Sequence, residues 1–108
     1  MQRVGPANGS FKSITQKAIK QGLSNVLGSS GAVSVMVNFN LEAHEDDPIA
    51  FHNTLSSVFK AQAEILEKSI VKELYALMGE RFQSSPVFDF SNQMNFAKQL
   101  HRAKLVVS

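Results

Sequence analysis

Residues 47–79 read DPIAFHNTLSSVFKAQAEILEKSIVKELYALMG, and this stretch decides the fold. Its opening Asp-Pro pair is typical of a helix start, because the carboxylate caps free backbone N–H groups and proline fits the first turn. Apolar residues then recur every three or four positions, which is the spacing of one face of an α-helix. Gly79 is a natural stop, since glycine accepts the left-handed conformation. The pattern predicts one long central helix over 48–79, or two helices broken near 59–62.

Two further helices are predicted before this stretch. Ser10 can cap a helix that runs to about Leu27, where Gly28 provides the stop. The next segment is ambiguous, because apolar residues alternate over 32–40 as in a strand, yet several of them also share one helical face. A lone strand in a helical chain would leave its backbone groups without partners. We therefore predict a helix over 31–41, the alternative being a strand paired across a dimer axis.

A last helix is predicted after a short connector at residues 83–86, with Asp89 or Ser91 as its cap. The fold class is therefore all-α, a compact bundle of about four helices in a single domain over 10–108. Residues 1–9 contain two glycines and a proline and read as a flexible N-terminal tail. The predicted helices lie near 10–27, 31–41, 48–79 and 91–104.

Composition excludes several classes of protein. The chain has no cysteine, so disulfides, thiol nucleophiles and thiolate metal sites are ruled out. No apolar run approaches the roughly 20 residues that cross a bilayer, and the N-terminus lacks a stretch of signal-peptide length. We expect a cytoplasmic protein that does not enter the membrane.

The sequence carries no recognisable catalytic or metal-binding motif. Phosphate-binding, dinucleotide-binding, zinc-protease and serine-hydrolase signatures are all absent. His44 falls in an acidic loop and reads as solvated, His52 can pack or bond a neighbouring chain, and His101 reads as exposed. No serine has a flanking context that marks a nucleophile. We therefore expect no enzyme activity, no metal and no cofactor.

Basic residues form two groups that suit phosphate contacts. Because the chain lacks a convincing helix-turn-helix spacing, binding to DNA or RNA is the alternative function rather than the preferred one. The candidate contacts are Arg3, Lys12, Lys17, Lys20, Lys98, Arg102 and Lys104.

Association between helices has broader support. The apolar residues of 47–79 fall on more than one line along the surface of the predicted helix. Three short neighbouring helices cannot cover all of these lines. Exposing the surplus would leave a patch larger than soluble monomers usually tolerate. We therefore predict a homodimer, since closed two-fold pairs are the commonest homo-oligomers, joined through this stretch or through residues 32–39. The predicted interface residues are Leu55, Val58, Phe59, Ile65 and Leu66.

Several segments also carry a family resemblance. They are residues 27–31 (LGSSG), 47–52 (DPIAFH), 63–67 (AEILE), 70–75 (IVKELY) and 88–90 (FDF), together with Leu55 and Phe59. On these segments the chain resembles the Nitrosopumilus output domains, an archaeal family of signal-output domains, and within it the fifth class. Family members tend to carry glycines after the phenylalanine that matches Phe59, whereas this chain has Lys60-Ala61-Gln62.

The resemblance implies a regulatory output module with an unidentified protein partner, and it brings no catalytic residue. Together with the missing motifs, it predicts a non-enzymatic regulatory or interaction module that acts through helix-mediated self-association or partner binding. The alternative is a small basic DNA- or RNA-binding regulator.

Overall fold

The computed structural model describes residues 10–83 and 87–107, with side chains described as far as residue 103. Its α-helices are α1 (Phe11–Asn38), α2 (Pro48–Phe59), α3 (Ala63–Leu77) and α4 (Phe90–Val107), with short 3-10 turns at Leu41–His44 and Lys60–Gln62. No strand occurs over this part of the chain, so the all-α class is confirmed. The predicted tail at residues 1–9 lies outside the described residues.

Helix α1 bends sharply at Gly28, whose φ of 83° and ψ of 164° divide it into segments 11–27 and 29–38. This agrees with the stop predicted there, because such a backbone is strained for residues that have a Cβ. After the bend the chain returns along the bundle, so that Gln16 Nε2 donates a hydrogen bond of 2.8 Å to Glu45 Oε1.

The strand alternative for residues 32–40 is wrong. Segment 29–38 is helical, so its backbone groups pair within the segment and need no second strand. Ala32 and Met36, one turn apart, are buried, whereas Val33 and Val37 face outward. The alternation of apolar residues therefore reflects one buried and one exposed helix side.

Of the two alternatives predicted for 48–79, the pair of helices broken near 59–62 is confirmed, and the single long helix is wrong, because the chain breaks at Lys60. That residue has φ 55° and ψ −128°, and the 3-10 turn that it opens separates α2 from α3. Leu55 before the break and Leu66 after it are both buried. The stop at Gly79 is confirmed by a φ of 75°.

Replacing Lys60 by glycine is expected to stabilise the protein by about 1 kcal/mol, because a Cβ is strained at positive φ. For a domain of this size that gain raises Tm by about 4–8 °C. Lys60→Ala is the matched control, since it removes the same charge but keeps the Cβ and should leave Tm nearly unchanged. An equal rise in Tm for both variants would mean that removal of the lysine charge, rather than relief of backbone strain, stabilises the protein.

The core is centred on α3, where Ile70, Val71 and Leu74 are fully buried. Helix α1 crosses α3 closely at Gly22, whose carbonyl oxygen accepts a hydrogen bond of 2.7 Å from Ser69 Oγ. A glycine inside a helix weakens that helix by roughly 1 kcal/mol relative to alanine. In the structure the missing side chain is what allows the two helices to approach.

Helix α4 closes the bundle through two aromatic contacts. The rings of Phe51 and Phe90 stack with centroids 5.5 Å apart, and Phe11 meets the imidazole of His101 at 5.7 Å. His101 is therefore buried, and the prediction of an exposed side chain was wrong. Among the described residues, no helix is both long enough and apolar enough to cross a membrane.

Candidate functional site

An open groove of about 480 Å³ lies where α2, the start of α3 and the start of α4 meet. Its walls combine apolar side chains such as Ile49 and Phe88 with charged and hydroxyl groups. The groove depends on the break at Lys60, which places the start of α3 beside α2. The polar residues that line it are His52, Ser56, Lys60, Glu64, Glu67, Asp89, Ser91 and Asn92.

A buried carboxylate is the main electrostatic feature of the groove. The side chain of Glu67 is only 2% exposed, and its Oε2 lies 2.5 Å from Nδ1 of the half-exposed His52. Burial raises the pKa of Glu67 above its ordinary value of 4.5, and the hydrogen bond and charge of His52 partly offset that rise. Because an ionised carboxylate inside a protein is costly without a partner, His52 is what allows Glu67 to occupy this position.

Ser56 extends this pair into a chain of three groups. Its Oγ lies 3.3 Å from His52 Nε2, one helical turn away on α2. Since the Glu67 carboxylate accepts from Nδ1–H, a neutral His52 leaves Nε2 free to accept from the serine hydroxyl. Hydroxyl, imidazole and carboxylate stand in the order used by nucleophilic hydrolases. The same order also arises when a histidine only neutralises a buried acid.

Even with a break near 59–62, the sequence does not say how the two helices pack, so the contact between His52 and Glu67 could not be predicted from spacing alone. On a continuous helix, His52 and Glu67 are about four turns apart and cannot touch. The spacing of His52 and Ser56, by contrast, is readable as one helical turn. No group of three or more metal-ligating side chains that could hold an ion is found among the residues described.

The predicted interface residues do not form one surface. Leu55 and Leu66 are buried in the chain's own core, so they cannot contact a partner and their assignment is corrected. Phe59 packs half-buried against the same core, whereas Val58 and Ile65 remain exposed. Helical spacing explains the difference, because Leu55, Phe59 and Leu66 fall on one apolar line that faces the core, whereas Val58 and Ile65 lie off that line.

No family model matches this chain, and no curated protein or solved structure is significantly similar to it. The resemblance to the Nitrosopumilus output domains therefore stays a proposal. The roles assigned to residues below follow from their positions, contacts and charges in this structure.

The structure brings parts of the two basic groups together. Lys12 on α1 and Lys98 on α4 line one cleft of about 160 Å³. Glu45 and Asp46 line the same cleft, so carboxylates offset part of its positive charge. The remaining described candidates, Lys17, Lys20 and Arg102, are exposed on these two helices. Arg3 and the side chain of Lys104 lie outside the described part of the structure.

The second segment of α1 carries no charged side chain of its own. Residues 21–41 contain no lysine, arginine, aspartate, glutamate or histidine. Val33 is 61% exposed and Val37 is 71% exposed, and these two valines lie one turn apart on the outer side of segment 29–38. Ser30 and Ser34 beside them are exposed as well. We call this outer side, formed by Ser30, Val33, Ser34 and Val37, the valine face.

Proposed function

We propose that this chain is a non-enzymatic, cytoplasmic regulatory or interaction module that acts through helix-mediated self-association. The observation that carries the proposal is the valine face, where two large apolar side chains are exposed on a segment that has no charged residue of its own. The centre of a protein interface is depleted of charged residues in the same way. The resemblance to signal-output domains supports the same function, because output modules act by contacting other chains.

A structural role accounts for the three groups in the groove without catalysis. Glu67 is buried among apolar side chains, and His52 supplies the hydrogen bond and positive charge that a buried carboxylate requires. Ser56 then satisfies the far nitrogen of the same ring. Each of the three groups therefore has a hydrogen-bond partner, and stabilisation of the fold is enough to explain the arrangement.

Hydrolysis of an activated ester such as p-nitrophenyl acetate tests the non-enzymatic part of the proposal. We expect the wild-type chain and Ser56→Ala to hydrolyse the ester at the same background rate, because exposed histidines and lysines react nonspecifically in both. Saturable turnover that Ser56→Ala and His52→Gln both abolish would overturn the proposal.

Co-purification of two differently tagged copies tests the self-association. When both copies are expressed together and one tag is retained on a column, we expect the other copy to elute with it. A groove mutation, Ser56→Ala, is the matched control and should leave the co-purification unchanged. Recovery of the retained copy alone would contradict self-association.

Nucleic-acid binding is the second candidate, and the shared cleft of Lys12 and Lys98 is the observation that favours it. Several phosphate contacts would make the affinity for nonspecific duplex DNA fall steeply with salt. Binding is therefore measured at two salt concentrations, with Lys12→Gln, Lys98→Gln as the variant. Affinity at low salt that this variant loses would support the alternative, whereas no binding by the wild type would remove it.

A further inference from the structure

We propose that the valine face is the surface through which two copies of this chain pair about a two-fold axis. The inference rests on the proposed self-association and specifies which surface carries it. The sequence left two surfaces open, residues 47–79 and residues 32–39, and the structure separates them. In the first, Leu55 and Leu66 are enclosed in the core and only Val58 and Ile65 remain exposed. In the second, both valines are exposed one turn apart on one helix side.

The shape of the valine face suits close approach between helices. Val33 and Val37 form a ridge one turn long, and the small side chains of Ser30 and Ser34 lie beside it. A second helix can place its own valines over these serines, in the manner of ridges that fit into grooves. Ser34 Oγ already accepts a hydrogen bond of 3.1 Å from Asn38 Nδ2, so its hydroxyl keeps a partner within its own chain.

The charge pattern indicates a second copy as the occupant. At a two-fold interface a surface meets itself, so a charge near the axis faces its own like charge and weakens the dimer. The chain has 11 basic and 9 acidic residues among 108, yet the 21 residues from 21 to 41 include none of them. A foreign partner gains no electrostatic attraction from such a surface, whereas an identical copy loses nothing to repulsion.

The available area sets the strength of the pairing. Of residues 21–41, 16 are exposed or half-exposed, and not all of them lie on the valine side. A standard interface uses about 20–30 residues on each side. The contact is therefore smaller than that of a permanent dimer, and we expect a reversible dimer whose population rises with concentration.

Single-cysteine variants test the inference directly, because the chain has no cysteine of its own and any disulfide must join two chains. Near a two-fold axis, a residue approaches its own copy closely enough for a disulfide, whose Cα atoms lie about 4.4–6.8 Å apart. We expect Val33→Cys or Val37→Cys to form covalent dimers under mild oxidation at least about tenfold faster than Ile65→Cys. Ile65 is a matched control, since it is 57% exposed but lies on α3.

A charge-insertion pair completes the experiment. Val33→Glu, Val37→Glu is expected to abolish dimers in sedimentation velocity, whereas Ile65→Glu keeps them. All three positions are exposed, so retained helicity by circular dichroism is expected for both variants. Faster cross-linking through Ile65→Cys, or dimers lost only with Ile65→Glu, would overturn the valine face while leaving self-association intact. A wild-type chain that stays monomeric at every concentration would contradict both the valine face and self-association.

Discussion

Gly22→Ala is expected to lower the free energy of unfolding by about 2–3 kcal/mol, near the upper end of what overpacking costs. A Cβ at this position would lie 2.6 Å from Ile70 Cα and 2.7 Å from its backbone nitrogen. Backbone atoms cannot rotate away as a side chain does, so α1 and α3 must separate and loosen the core around Ile70. This loss outweighs the gain of about 1 kcal/mol that alanine brings to a helix interior.

Gly31→Ala is the matched control for this prediction. Its added Cβ would meet only Leu27 Cβ, at 3.0 Å, so a shift of a few tenths of an ångström within α1 relieves the contact and no second helix has to move. We expect urea unfolding to show little change or a small gain for Gly31→Ala, beside the large loss for Gly22→Ala. Equal stability of the two variants would mean that α1 and α3 do not cross as closely as described.

His52→Ala is expected to destabilise the protein by about 2 kcal/mol at pH 7, because it leaves the ionised Glu67 buried without its partner. The folded-state pKa of Glu67 is raised, since burial outweighs the opposing effect of His52. Glu67 therefore contributes most stability below its unfolded pKa, and that contribution falls as pH rises through the folded pKa. Removing His52 raises the folded-state pKa of Glu67 further, so that more stability is lost as the pH rises.

The sign of this effect makes it testable by pH. At pH values below 4.5, where Glu67 is protonated in both states, we expect His52→Ala to cost much less than at pH 7. The double variant His52→Ala, Glu67→Gln should recover most of the loss at pH 7, since no charge is then buried. Unfolding curves at the two pH values decide the matter, and a loss independent of pH would assign His52 a packing role instead.

Much of the fold was readable from short-range signals. Ser10 and Asp47 cap α1 and α2 as predicted, each accepting a hydrogen bond of 3.1 Å from a backbone N–H three residues on. Asp89 rather than Ser91 caps α4. Gly28 and Gly79 mark the bend and the stop. These features depend on neighbouring residues alone, so the sequence contains all that is needed to place them.

The break at Lys60 was left open because nothing local demands it. A lysine at positive φ is held there by the packing of α2 and α3 on the rest of the bundle. The contact of His52 with Glu67 depends on this break. Because the break stayed one of two alternatives, the groove that it forms could not be predicted from the sequence.

Sedimentation equilibrium of the wild-type chain tests the central claim, self-association through an exposed helix face, most directly. Runs that span about a hundredfold range of micromolar concentration cover the affinities of small, reversible interfaces. If the chain self-associates, we expect an apparent mass that rises with concentration from 11.9 kDa toward twice that value. A mass that stays at 11.9 kDa across the whole range would contradict it.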